Sequence, residues 1–257
     1  NCILVLNILN QNCPIMKLAS AQIHPEDGNI QKNLEEHYRL IKQAAEKGAD
    51  LIVFPEMSIT GYARENAREI AFLKSDNRLD QLQKLATDYQ IMIVAGAPIK
   101  VGTDLFIGSF IFQPGSLLKI YTKQFLHSGE EKYFNNSFDY NPLIQFGEER
   151  ISFAICADID NPQHAENAYN LQSTLYVSSI FNSPYGILEG HSMLGSYAKK
   201  YGMNVIMSNF CGKSWEMDAG GKSAFWDNQG NIICEMNHTN PGFLTVEKTG
   251  KGWKGET

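Results

Sequence analysis

Apolar and polar positions along the chain follow two alternating rhythms. "MKLASAQIHP", residues 16–25, reads as a buried strand ending near Pro25. After it, Ile30, Leu34, Tyr38, Ile41 and Ala45 recur at helical spacing, with Asn29 placed to cap and Gly48 to stop the helix. "DLIVFPE" is short and continuously apolar, the pattern of a strand covered on both faces. A helical stretch over about 76–89 leads into "IMIVAGAPI", another buried strand. "LFIGSFIF" and "LLKIYTK" predict two strands around a turn at Gln113-Pro114-Gly115-Ser116, and residues 127–142 read as loop. The second half repeats the rhythm: strand "ISFAIC", helix over about 162–171, strand "TLYVSS", helix over about 187–201 ending at Gly202, strand "NVIMSNF". Short strands "KSAFWD", "NIICEM" and "GFLTVE" follow, with a turn at 228–231. This order, twice over, predicts an α/β fold: a four-layer α-β-β-α sandwich of two mixed sheets with helices on the outer faces.

With no linker or low-complexity stretch, residues 16–257 read as one domain. The preceding "NCILVLNILNQNCPI", residues 1–15, reads as a translated leader or an added remnant, because it lacks the basic start and small-residue cleavage site of a signal peptide. Hydrophobic residues make up 43% of the 257, enough for a sizeable core. The net charge of -6 argues against nucleic acid or an anionic membrane as partner. No segment approaches the ~20 apolar residues of a membrane span. Cys2, Cys13, Cys156, Cys211 and Cys234 are widely spaced, without a CxxC pair or a His/Cys cluster, so no metal site is expected. A reduced, cytoplasmic chain is expected instead.

Three ionisable residues stand where buried strands should end: Glu56 after "LIVFP", Lys123 after "LLKIYT" and Cys156 after "ISFAI". In α/β sheets, ligands gather at the carboxyl ends of strands. Taken singly, each has an ordinary explanation: a solvated Glu, a surface Lys, a small packed Cys. Other patterns carry less. Ser196-Tyr197-Ala198-Lys199 matches S-x-x-K without its companion motifs, and "GGKS" at 220–223 lacks the leading glycine of a phosphate loop, Glu216 standing there. The six histidines form no H-x-x-x-H pair on one helix and read as structural or surface residues.

Taken together, "ADLIVFPEMSITGY", "KIYTKQFLHSGEEKYF" and "ISFAICADIDNPQHAENA" resemble the three signature blocks of the nitrilase superfamily of carbon–nitrogen hydrolases, in order and over nearly the whole chain from Met16. The resemblance implies the same sandwich, common dimerisation (a homodimer or higher homo-oligomer), no organic cofactor and no metal, and a Glu-Lys-Cys set at Glu56, Lys123 and Cys156. In these roles Cys156 as thiolate attacks an amide carbon, Glu56 takes the thiol proton and later activates water, and cationic Lys123 favours the thiolate and steadies the oxyanion. The backbone N–H of Ala157 is expected to be a second oxyanion donor. Family members often add a second glutamate. Glu130 is favoured over Glu131 by its spacing to Tyr133-Phe134. Cys156-Ala157-Asp158 replaces the Cys-Tyr-Asp of many amidases and the Cys-Trp-Glu of nitrilases proper, and the Asp leans toward amides. An arginine that several relatives carry just after this block is missing, which argues against an acidic substrate. Phe181 and Tyr185 are candidates for shaping the pocket, with ordinary core packing the competing reading. The expected function is hydrolysis of a non-peptide C–N bond in a small linear amide or ureido compound through a cysteine thioester. The alternatives are a catalytically silent small-molecule-binding relative and a soluble acyltransferase on the same fold.

Overall fold

A computed structural model describes residues 16–257; the leader reading of residues 1–15, with Cys2 and Cys13, falls outside the described residues. The first half contains β1 (Lys17–Gln22), α1 (Ile30–Glu46), β2 (Leu51–Val53), α2 (Ala67–Ile70), α3 (Asp80–Asp88), β3 (Met92–Val101), β4 (Asp104–Phe112) and β5 (Lys119–Thr122). The second half contains β6 (Ile144–Phe146), β7 (Glu149–Ile155), α4 (Pro162–Asn170), β8 (Leu175–Ser179), α5 (Gly186–Tyr201), β9 (Asn204–Ser208), β10 (Lys213–Ser214), β11 (Met217–Asp218), β12 (Ala224–Trp226), β13 (Ile232–Glu235), β14 (Gly242–Thr249) and β15 (Gly252–Glu256).

One sheet has seven strands in the order β15-β14-β1-β2-β3-β4-β5, and the other has six in the order β13-β12-β9-β8-β7-β6. Both are mixed, as the alternating halves predict. β1, β2 and β3 are mutually parallel, as are β7, β8 and β9. β4 runs against β3 and β5 against β4, so β5 runs with β1–β3. The carboxyl ends of β2 and β5 therefore reach the same edge of their sheet. The sheets face each other through β1 and β9: Ser20 Oγ donates to the Met207 carbonyl at 2.7 Å, and Ser208 Oγ donates to the Ala21 carbonyl.

Helix α1 starts where Asn29 Oδ1 accepts the Lys32 N–H at 3.2 Å, as predicted. Its buried stripe is Asn33, Leu34, His37, Leu40, Ile41 and Ala44, turned slightly from the expected one. The two polar members hid the true centre of the face. Each fully buried Leu or Ile there contributes about 1.5–3 kcal/mol. Helix α5 stops at Gly202, which adopts φ +66°, a left-handed conformation that glycine takes without strain. Helices α4 and α5 cover a second core cluster built on Ala154, Tyr176, Leu194, Val205 and Trp226. The elements the pattern missed are short or lie at edges. β15, "GWKGE", has one large apolar side chain and pairs only at the rim of its sheet.

Candidate active site

The turn after β2 carries Glu56. Ser58 Oγ accepts the Gly96 N–H at 3.1 Å and faces His37 Nε2 at 3.0 Å, while His37 Nδ1 faces the Asn33 carbonyl at 2.7 Å. Only one tautomer satisfies this chain: Nδ1–H donates to Asn33 and Nε2 accepts from Ser58. Full burial holds His37 neutral, its pKa pushed down to about 4. A helix residue thus pins the turn. Gly96 is required opposite it, because a Cβ there would lie 2.4 Å from the Met57 nitrogen.

Lys123 follows β5 and is fully buried. Its Nζ lies 2.8 Å from Glu56 Oε1 and 2.9 Å from Glu130 Oε1. Tyr62 OH donates to the same Glu130 oxygen, and the His127 N–H donates to Glu130 Oε2 at 2.9 Å. Glu130 is buried on a single helical turn, whereas Glu131 is exposed and accepts the Gly129 N–H at 2.6 Å. Of the two glutamates, Glu130 is the one the fold brings to Lys123.

Cys156 follows β7 with φ +44°, a strained conformation for a residue with a side chain, and is 3% exposed. Asp158 holds this turn. Its Oδ2 accepts the Ile155 N–H at 2.8 Å, and its Oδ1 accepts the Gln124 and Phe125 N–H groups, both at 2.9 Å. One carboxylate therefore ties the Cys156 turn to the segment following Lys123. This is why the strand-Cys-x-Asp block and the Lys block belong together physically.

Around Sγ stand His127 Nε2 at 3.2 Å, the Phe181 carbonyl at 3.7 Å and Asn182 Oδ1 at 3.9 Å. The Phe181 ring packs against Tyr62, centroids 5.1 Å apart. Ala157 is buried beside the sulfur. Tyr185 is not brought in: it opens α5 with 93% of its surface exposed, because the chain turns outward after Asn182. His127 lies at the surface, its side chain 44% exposed, and its ring also touches the sulfur. It stood in plain view in "KQFLHSGEEKYF", but a motif search for paired histidines passes over a histidine whose partner is a cysteine on another strand. Tyr62 and Asn182 likewise lie inside or beside the quoted segments.

Burial is the largest influence on each charged group. It pushes the Glu56 carboxyl up to about 7, with Lys123 opposing and Glu130 adding to the rise. Burial also works against the charges of Lys123 and Glu130, but here the partners prevail. Lys123 is held firmly cationic by Glu56 and Glu130, and Glu130 is held below its ordinary value by Lys123 and Tyr62. The Cys156 thiol is pushed well above its ordinary value by burial and Glu56, against Lys123. Lys123 favours the thiolate, as expected, but desolvation and the two carboxylates act in the opposite direction. Glu56 Oε2 is buried with no hydrogen-bond partner among the described residues. Cys156 is near enough to favour the ionised Glu56, but makes no hydrogen bond of ordinary geometry to that oxygen. Among the described residues no three His, Cys, Asp or Glu side chains group as a metal site, and no helix is long and apolar enough to cross a membrane.

A buried Glu-Lys-Glu array facing a cysteine at the mouth of two parallel strand sets defines a class. The family model described as "Carbon-nitrogen hydrolase" matches residues 17–249, and the chain belongs to that enzyme family. A mutant of the amidase from Nesterenkonia AN1, of the nitrilase superfamily, has the same fold: TM-score 0.81 and 22% identity over 90% of each chain. A glutamine-dependent NAD(+) synthetase from Aquifex aeolicus is 27% identical over 90% of this chain and 42% of its own length. A nitrilase from Pyrococcus abyssi is 30% identical over 59% of each. The chain thus spans less than half the length of the first of these two relatives and about three fifths of the second.

Proposed function

We propose that the chain is a cysteine-dependent amidase that hydrolyses a small linear amide or ureido compound in two half-reactions. The observation that carries this reading is Lys123 Nζ held between Glu56 and Glu130 beside Cys156. Glu56 takes the thiol proton as sulfur attacks the amide carbon, and passes it to the nitrogen that departs as ammonia or an amine. Lys123 Nζ and the Ala157 N–H steady the oxygen as it gains charge. Water then attacks the thioester, and Glu56, through its free Oε2, takes the water proton and releases the acid. A carboxyl poised near 7 suits that task, since it both accepts and returns a proton at neutral pH. Glu130 and Tyr62 position the ammonium.

Glutamine is the first amide to test, because the NAD(+) synthetase relative matches 90% of this chain. That match, covering 42% of the relative, favours a second reading in which the chain is the glutamine-cleaving part of a larger ammonia-using assembly. A cytoplasmic setting and a homodimer or higher homo-oligomer go with either reading, and light scattering checks the latter. The deciding experiment measures ammonia released from a panel of amides by wild type and Cys156→Ala. Turnover should fall by roughly 10⁴-fold or more in the variant. Near-wild-type turnover by Cys156→Ala would sink the thioester reading. No turnover by wild type across the panel would favour the silent relative.

A further inference from the structure

No arginine occurs in the chain beyond Arg150, so none follows the Cys156 block. The segment after Glu56 brings one toward the site from the other side. Arg64 closely follows Tyr62, whose hydroxyl donates to Glu130 and whose ring packs on Phe181. The Phe181 carbonyl in turn lies 3.7 Å from Cys156 Sγ. Arg64 Cζ is 6.0 Å from the Tyr62 ring centroid and 5.7 Å from that of Tyr133, whose N–H donates to the Glu130 carbonyl at 2.9 Å. The guanidinium therefore borders the Glu130 corner of the site.

A platform holds it there. Arg64 Cζ stacks 3.5 Å from the Trp215 ring centroid, which sets the plane of the guanidinium without using its N–H groups. Asp27 ties the two segments together. Its Oδ1 accepts the Tyr62 N–H at 3.1 Å and the Ser214 hydroxyl at 2.6 Å, and its Oδ2 accepts the Trp215 N–H at 2.6 Å. Trp215 and Glu216 both take left-handed backbone, φ +48° and +58°, a strain that persists only where the surroundings hold it. The Arg64 side chain is 16% exposed, and its Nε is buried with no hydrogen-bond partner among the described residues. Glu65 Oε1 stands 3.9 Å from Nε but accepts the Trp215 indole N–H at 2.9 Å. A largely desolvated cation with an N–H left open is costly unless an acceptor arrives.

We propose that Arg64 is a specificity-determining residue that grips a carboxylate at the far end of the substrate, so the site takes amides carrying one such charge. This rests on the amidase reading and names a substrate class for it. The amide end lies at Cys156, and the carboxylate end runs past Tyr62 and accepts N–H groups from the planar fork. A monoanion fits better than a phosphate dianion, because the Glu65 carboxylate stands beside the guanidinium. Neutral amides of the same length leave the fork without an acceptor, which weakens their binding. If stacking on Trp215 served only to staple two segments together, losing Arg64 would affect all amides alike.

The test compares the monoamides succinamate and glutaramate with the neutral amides butyramide and valeramide of matching length. Ammonia release by wild type should give kcat/KM about tenfold or more higher for the monoamides, as a charge-assisted hydrogen bond predicts. Arg64→Met should lose that preference through KM, with the neutral amides staying within about threefold of wild type. Arg64→Lys, which keeps the charge without the fork, should recover part of it. Calorimetry of the monoamides with Cys156→Ala, alone and combined with Arg64→Met, reads the same dependence without turnover. Arg64-dependent binding in the absence of any turnover would sustain the role of Arg64 and sink the amidase reading. Turnover with no monoamide preference, an equal loss for both amide classes in Arg64→Met, or no monoamide binding by Cys156→Ala would overturn the assignment. The first two of these leave the amidase reading standing.

Discussion

Cys156 and Asp158 share one short turn but belong to two buried polar clusters with opposite character. Around Asp158 the carboxylate itself is fully partnered, although Gln124 Nε2 beside it has no hydrogen-bond partner among the described residues. The two Asp158 oxygens accept three backbone N–H groups and the Tyr121 hydroxyl, the latter at 2.6 Å. Tyr121 OH faces His164 Nε2 at 2.8 Å, and His164 Nδ1 faces Tyr176 OH at 2.7 Å. Burial keeps His164 neutral and Tyr121 and Tyr176 protonated. Around Cys156, two carboxylates share one ammonium, Glu56 Oε2 has no hydrogen-bond partner among the described residues, and the sulfur sits on strained backbone. A satisfied buried network rigidifies, whereas one left open stores the imbalance that chemistry uses. The closed cluster is the frame that keeps the open one from relaxing.

Four substitutions or conditions break or sharpen this contrast. Lys123→Met has the largest expected effect: two buried carboxylates face each other without a cation, at a cost of about 3–5 kcal/mol, and the oxyanion loses a donor worth roughly 10²–10³ in rate. Denaturant unfolding and ammonia release measure the two losses separately. Asp158→Ala should cost about 3–4 kcal/mol by stranding buried N–H groups at 124, 125 and 155, and activity should fall with it as the turn relaxes. If that variant unfolds like wild type, the closed cluster is not the frame.

The third test is acid. His37 has a pKa of about 4 in the folded chain, below the ordinary 6.5, so the unfolded chain binds more protons between those values. Its contribution is fully present above about pH 6.5 and is lost as pH falls through about 4, a change of about 3 kcal/mol. Urea midpoints measured in steps down that window check it, and His37→Gln should flatten the slope. The smallest effect belongs to Tyr62→Phe, which removes one hydrogen bond to Glu130. About 1–2 kcal/mol and a several-fold loss of turnover are expected, with folding otherwise intact.

Much of the scaffold was legible in the residues because hydropathy patterns report burial. The apolar runs at 51–54 and 92–99 sit on both-face-covered strands, and Asn29 and Gly202 mark helix ends through local chemistry that needs no partner from elsewhere. Glu56, Lys123 and Cys156 were legible because each interrupts an apolar strand pattern at its end. The placements of His127, against the sulfur, and of Tyr185, facing solvent, were not legible in the residues. Nothing local distinguishes a histidine on a loop that faces a distant cysteine from one that faces water. An aromatic near a pocket-lining segment also carries no mark of which way the chain turns next.

The linear order of residues thus determined the layers, the caps and the three strand-end side chains, since these depend on neighbours within a few positions. The tertiary structure alone decided that the ammonium of Lys123 has two carboxylate partners and that the sulfur of Cys156 is buried against His127, its thiol pushed well above the ordinary value by desolvation. Those outcomes depend on distances between segments far apart in the chain and on the loss of water around them. Desolvation has no counterpart in a list of residues, and here it outweighed the local charge that favoured a thiolate.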